Sequence, residues 1–242
     1  MMPGQEHEPG GDGPVTAFYD SGSVKETAAF EGGVLHGPVT QYRDDGTMVL
    51  RARFAQGVLE GEARSFDESE ALVQITPYVK GVVEGLLRIY TKGRLTSTVT
   101  MRAGIQHGPT RTFDDAGRLV SHTEFVDGLE EGMATFFAPD GTVQRESMYA
   151  GGVLHGLTVE YYPNGVRRLE TPYVEGVVKG EVVTYDMEGN VVSREMVDTE
   201  VTPNAEMLPP GTVTDAEAEA ARADRAEPAA YTGFFGRFRG GR

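Results

Sequence analysis

The 242-residue chain contains no cysteine and no tryptophan. Without cysteine it can build no disulfide, no thiolate zinc site and no cysteine nucleophile, which fits a reducing compartment. No stretch approaches the roughly 18 consecutive apolar residues that a membrane-spanning helix needs. The opening MMPGQEHEPGGDG has neither a basic start nor an apolar run, so no secretory signal is expected and a cytoplasmic location is. Positive charge is scarce too: 22 Lys and Arg stand against 37 Asp and Glu, a formal net charge of -15. Nucleic-acid binding draws its affinity from clustered Lys and Arg, so nucleic acid is not expected as a partner. The acidity belongs to the body of the chain, because residues 13–203 hold 17 basic and 28 acidic residues whereas residues 229–242 hold three Arg and no acid.

What the chain has in abundance is glycine, 32 in all, and its spacing sets the organisation. One glycine recurs at Gly13, Gly37, Gly61, Gly85, Gly108, Gly132, Gly156 and Gly180, a period of 24 residues broken once to 23. Counting each repeat from that glycine, position 6 is aromatic throughout: Phe18, Tyr42, Phe66, Tyr90, Phe113, Phe137, Tyr161 and Tyr185. Position 10 is glycine except at Glu70. Position 18 is Phe30, Phe54, Tyr78, Met101, Phe125, Tyr149, Tyr173 and Val197, and position 21 is glycine except at Glu200. A fixed period of this kind marks a repeat protein in which each copy contacts its neighbours.

Each repeat carries two turn signals. The first is of the type Asp20-Ser21-Gly22, Pro139-Asp140-Gly141 or Pro163-Asn164-Gly165, and the second, such as Asp127-Gly128 or Glu175-Gly176, falls eleven residues later. Asp and Asn close turns through their own side chains and glycine supplies the left-handed backbone. Two turns per repeat imply two short strands per repeat. With loops of about three residues, positions 6, 12, 18 and 22 would share one face, since side chains alternate along a strand. Those columns are where apolar residues concentrate, and positions 5, 13 and 15 are mixed or polar, which predicts a wetter opposite face. The expected fold is all-β: an elongated antiparallel sheet of about eight 24-residue hairpin repeats. Sixteen strands at about 4.8 Å would span roughly 75 Å, with a pronounced twist. Val197 and Glu200 make the last repeat atypical, as a terminal cap should be.

Residues 1–12 lack apolar periodicity and are expected to be disordered. Beyond residue 203 the composition shifts to Pro, Ala and acids, giving a linker over 204–228. Thr214 and Glu217 form a capping-box sequence there, and the Ala-rich residues 215–226 predict a short helix. The terminal stretch 229–242 sets Tyr231, Phe234, Phe235 and Phe238 among Arg237, Arg239 and Arg242 with intervening glycines. Four aromatics in a flexible tail are costly to leave in water, so a peptide that docks on another protein is the sharper reading. The same stretch could instead pack on its own sheet or touch a membrane surface, nucleic acid or nothing.

Catalytic and metal chemistry find no foothold. His36, His107 and His155 all occupy position 24, which elsewhere is Glu60, Glu84, Glu131 or Lys179, and at about 9.6 Å per two-strand repeat they lie roughly 19 Å or more apart. They cannot share an ion. His7 and His122 are isolated. Asp44, Asp45, Asp114, Asp115 and Asp140 fall at turns that already account for them. No phosphate loop, nucleophile elbow or metal-ligand spacing is present, so neither an enzyme nor a cofactor is expected.

The Tyr-x-x-x-Gly of Tyr161 to Gly165 and the Tyr-x-x-Gly-x-x-x-Gly of Tyr173, Gly176 and Gly180, echoed by Tyr149, Gly152 and Gly156, resemble the MORN repeat (membrane occupation and recognition nexus). The resemblance covers residues 13 to about 203 and is to the variant of about 24 residues found in bacterial antitoxin and immunity proteins. It implies a scaffold or binding surface. The expected function is therefore non-enzymatic: a protein-interaction scaffold or accessory subunit, with the sheet as surface and Tyr231, Phe234, Phe235, Arg237, Phe238 and Arg239 as docking peptide. The alternatives are an antitoxin that covers a cationic toxin, and a peripheral membrane adaptor using the tail alone, because the acidic repeats would be repelled by anionic lipid. Open edge strands leave room for self-association.

Overall fold

The computed structural model describes residues 12–198. Within them every element is a strand, so the all-β expectation holds. The expected helix at 215–226 and the tail at 229–242 lie outside the described residues. The chain divides into two compact units, one built from residues 12–95 with 101–104 and the other from 96–100 with 105–198.

The N-terminal unit contains β1 (Gly13–Phe18), β2 (Val24–Glu31), β3 (Val34–Tyr42), β4 (Met48–Ala55), β5 (Val58–Leu59), β6 (Gly61–Phe66), β7 (Leu72–Val79), β8 (Val82–Val83) and β9 (Gly85–Thr91), and shares β10 (Arg94–Arg102) with the second. The C-terminal unit contains β11 (Ile105–Phe113), β12 (Leu119–Val126), β13 (Leu129–Glu130), β14 (Gly132–Phe137), β15 (Val143–Ala150), β16 (Val153–Tyr161), β17 (Arg167–Val174), β18 (Val177–Tyr185) and β19 (Val191–Asp198). Inside each unit the pairing is antiparallel between neighbours along the chain. β5 and β6 are two parts of one run interrupted at Glu60, and Glu131 interrupts β13 and β14 in the same way.

The hairpins close as their sequences dictate. Gly22 N–H donates to Tyr19 O (2.9 Å) and Gly165 N–H to Tyr162 O (2.9 Å), each glycine with a positive φ. Beside them Asp140 accepts from the backbone of Thr142 (3.0 Å), and the Thr142 hydroxyl and amide together hold its carboxyl below the usual carboxylate range. At the other end of the repeat, the glycine of one turn donates to the strand before it: Gly57 to Leu35 O (2.7 Å), Gly81 to Leu59 O (2.8 Å), Gly152 to Glu130 O (2.9 Å) and Gly176 to Leu154 O (2.8 Å). The position-24 side chain completes that linkage. Glu60 accepts from Lys80 N and Glu131 from Gly151 N, while His36 Nδ1 accepts from Gln56 N and His107 Nδ1 from Asp127 N, both at 3.4 Å. Imidazole and carboxylate interchange at this position because each offers one acceptor to a turn amide.

Register overturns one expectation. Ala17 lies opposite Glu26 but Phe18 lies opposite Val24, so Lys25 is an extra residue; the same slip occurs at Phe136/Phe137 against Arg145/Val143 and at Glu160/Tyr161 against Leu169/Arg167. This bulge inverts the alternation once per hairpin. Positions 6 and 12 do share a face, and position 22 joins them, but position 18 points to the other face together with 3, 5, 14, 16 and 23. Exposure agrees: Phe18 at position 6 is 57% exposed and Ile105 at position 22 is 40% exposed, whereas Phe54 and Tyr149 at position 18 are 2% and 5% exposed. The face carrying position 18 is the core face.

In the N-terminal unit that face packs into one cluster of Ala28, Leu35, Val39, Ala52, Phe54 and Ala63, flanked by Phe30, Leu50, Leu59 and Tyr78. Burying a side chain such as Phe54 is worth about 1.5–3 kcal/mol, and small residues opposite large ones let neighbouring strands interlock. Glu26 is the exception within it. It is 1% exposed, accepts one bond from Gln41 Nε2 (2.8 Å), and its Oε1 has no partner.

Candidate binding groove

The same face of the C-terminal unit stays open. One row of directly opposed residues runs across its strands: Thr112, Ser121, Phe136, Arg145, Glu160 and Leu169. In the N-terminal unit the corresponding row reads Ala17, Glu26, Gln41, Leu50, Ser65 and Gln74. Around the C-terminal row lies a groove of about 550 Å³. Thr110, Thr112, Ser121 and Thr123 give it one hydroxyl-rich wall, Phe125, Phe136 and Tyr162 supply its aromatic surface, and Phe137 and Tyr161, at position 6, border it. Four charged residues complete the lining: Glu130, Arg145, Glu160 and Arg168.

Their electrostatics are uneven. Glu160 is engaged by Arg168 across the β16–β17 pair. Arg145, directly opposite Glu160 on the neighbouring strand, stacks its guanidinium over the Phe136 ring at 4.0 Å from the centroid. Its Nε is buried and has no hydrogen-bond partner, and burial pulls the guanidinium below its ordinary pKa. Glu130 stands at position 23, a column filled by Leu35, Leu59 and Leu154 elsewhere, opposite Phe125. Removal from water pushes its carboxyl up to about 7. Burial likewise raises the neighbouring Tyr149 phenol to about 12 and shifts Tyr173 in the same direction.

Of the residues singled out by the repeat pattern, Tyr161 borders the groove and donates to Glu146 Oε2 (2.7 Å) on the outer face. Tyr173 is a half-buried core-face residue opposite Gly156, and Gly165, Gly176 and Gly180 all have positive φ and shape the backbone. Tyr231, Phe234, Phe235, Arg237, Phe238 and Arg239 lie outside the described residues. The pattern did not single out Arg145, Glu130, Phe136 or Glu160. Two of them carried a signal, since Glu130 places a charge in a column that is mostly aliphatic, such as Leu35, Leu59 and Leu154, and Arg145 is a cation in a column that holds none in the other repeats.

Among the described residues no three His, Asp or Glu side chains are grouped to hold a metal ion. His122 is paired with Glu124 (3.0 Å), and His36 and His107 serve the turns. No helix among these residues is long and apolar enough to cross a membrane.

Known proteins add one point of contact. Residues 154–175 match the MORN repeat variant. The matched segment contains Tyr161, Gly165 and Tyr173, the residues that carry the resemblance in the sequence, and it forms most of β16 and β17 with their connecting turn. No curated protein matches the chain significantly. A solved structure, the crystal structure of the GtfA/B complex bound to UDP and GlcNAc, is similar over 47% of this chain and 22% of its own, at 11% identity and a TM-score of 0.23. A likeness of that size bears on neither fold nor ligand.

Proposed function

We propose that the chain is a non-enzymatic protein-interaction scaffold or accessory subunit, in which the repeat strands present the binding surface. Residues 229–242, with their aromatics and arginines, serve as a second, peptide-like contact. The observation that carries this reading is the open groove on the core face of the C-terminal unit, where a position that could have been filled like the N-terminal core instead presents aromatic rings, hydroxyls and an arginine. Aromatics and arginine are the residue types that dominate protein interfaces. A MORN-type repeat is consistent with such a scaffold.

Affinity purification from the native host tests it, comparing the wild-type protein with a variant in which Phe234, Phe235 and Phe238 are all changed to Ala. The expected result is recovery of one protein assembly, weakened by the tail substitutions. Recovery of a single small cationic enzyme by both proteins would favour inhibition instead, an antitoxin-like role that the net charge of -15 also suits. Recovery of no specific protein by either would overturn the scaffold reading.

A further inference from the structure

We propose that Arg145 is the anchor of the groove and that its ligand is a carboxylate side chain on an extended, acidic segment of a partner protein. The proposal deepens the scaffold reading and rests on it, because it names the chemistry of the partner that the groove would take.

Three observations point the same way. The fold has no need of a cation at this position. The equivalent residues include Glu26, Leu50, Gln74, Ser121 and Leu169, none of them a cation, so the strand pairs equally well without one. A half-buried guanidinium that the fold does not require lines the groove; its Nε is buried without an acceptor, so the terminal amino groups are the part that a ligand can reach. Next, Glu160 lies directly opposite Arg145 and attracts it through space, but its ion pair is made with Arg168. The ring of Phe136 covers one flat side of the guanidinium, which orients its donor-bearing edge without consuming a donor. Finally, the local charge runs against that of the whole chain. The groove has two arginines, one engaged carboxylate and a second, Glu130, that burial holds partly protonated near neutral pH. An acidic ligand therefore meets a net positive lining inside a protein of charge -15.

The remaining lining explains why the ligand is a peptide rather than a free acid. Thr110 and Thr112 line one wall, where hydroxyls already bonded to Gln106 and Ser121 keep a further lone pair for a peptide amide, and Phe125 and Tyr162 give flat apolar surface for the side chains flanking the carboxylate. Guanidinium and carboxylate form the bidentate, charge-assisted pair that fixes both energy and orientation.

The test uses the full chain and four probes: a fluorescein-labelled, end-blocked peptide of alternating Leu, Glu and Phe, its counterpart with every Glu changed to Gln, its counterpart with every Glu changed to Lys, and free glutarate. Affinity is read by fluorescence polarisation, with competition for glutarate, and the Arg145 Nε–H is followed by NMR. Expected is binding of the Glu peptide with a shift of the Nε–H signal, a loss of about tenfold or more with the Gln peptide or with Arg145→Leu, and a smaller loss with Arg145→Lys. Leu is the residue that the fold already carries at positions 50 and 169, so Arg145→Leu should fold, and its circular dichroism and unfolding midpoint confirm that it does. Equal affinity for the Glu and Gln peptides, no effect of Arg145→Leu, preference for the Lys peptide, or glutarate binding as tightly as the peptide would each overturn the proposal. The scaffold reading stands or falls separately, on the purification, because a partner recovered equally by wild type and Arg145→Leu would sink the anchor while leaving the scaffold intact.

Discussion

The two units share one backbone pattern and use it differently. In the N-terminal unit the core-face columns hold Ala28, Val39, Ala52, Phe54 and Ala63, which pack into a closed cluster. In the C-terminal unit the columns of Val39 and Ala52 hold Thr110 and Thr123, those of Leu35 and Leu50 hold Glu130 and Arg145, and a groove remains beside the buried Ala134, Ser147 and Tyr149. Apart from the shortened β9–β10 turn and Glu70 in place of glycine, the turns and strand pairing recur in both, and so do the glycine-to-carbonyl links. A repeat fold can thus separate stability from recognition by substitution within a column, because the hydrogen-bonded frame does not depend on what fills its face.

The largest effect should come from the closed face. Phe54→Ala removes a side chain that is 2% exposed and should cost about 3–5 kcal/mol. Its repeat equivalent, Phe125→Ala, truncates a residue that already borders the groove and should cost about 1–2 kcal/mol. Urea unfolding of both variants measures the difference, and equal costs would break the comparison.

A second pair separates packing from backbone strain. Gly81 and Gly165 have the same positive φ, about 80°, but a Cβ on Gly81 would sit 2.8 Å from Val58 Cγ1 whereas one on Gly165 meets nothing within 4 Å. Gly81→Ala should therefore cost about 2–3 kcal/mol and Gly165→Ala about 1 kcal/mol, the latter being the left-handed conformation alone. If Gly165→Ala proves the costlier, crowding between adjacent turns is not what holds the N-terminal unit together.

The frame was legible in the sequence, and the faces were not. The glycine period and the Asp/Asn-Gly turns located the strands, and even the exception at Glu70 kept its turn, with φ of 59° and its carboxylate accepting from Met48 N (3.0 Å). What sequence could not supply was the parity of the hairpin. One extra residue, Lys25 or its equivalent, decides whether position 18 sits with position 6 or against it, and a turn motif does not reveal how many residues each strand contributes. The groove was missed for the same reason. With position 5 placed on the wetter face, Phe136 and Glu160 read as outward-facing residues, whereas the register sets both directly opposite Arg145 on the core face.

Glu130 offers a sharper probe because its effect depends on pH. Its folded pKa of about 7 exceeds the ordinary 4.5, so the folded state holds the proton more tightly than the unfolded chain. Stability is then undiminished below pH 4.5, falls as pH rises through this window, and stays reduced above 7. Glu130→Leu, which restores the residue present at positions 35, 59 and 154, should raise the melting temperature by roughly 2–5 °C at pH 8 and by little at pH 4. An equal gain at both values would place the benefit in packing rather than in the buried charge.

The smallest contrast lies on the outer face, between aromatics at position 6. Tyr161 donates to Glu146 at 2.7 Å, and Tyr185 repeats the contact with Glu170 at 2.8 Å. In the N-terminal unit the residue corresponding to Glu146 is Thr27, so Tyr42 has no carboxylate at that place. Tyr161→Phe should therefore cost about 0.5–1 kcal/mol, whereas Tyr42→Phe should be near neutral. Burial and then the Glu146 bond and charge push the Tyr161 phenol up to about 12. Removing the charge with Glu146→Gln should bring that phenol down, visible as earlier tyrosinate absorbance in an ultraviolet titration. If it does not move, burial alone sets the shift, and the tyrosine–glutamate contact adds nothing that distinguishes the C-terminal repeats from those before them.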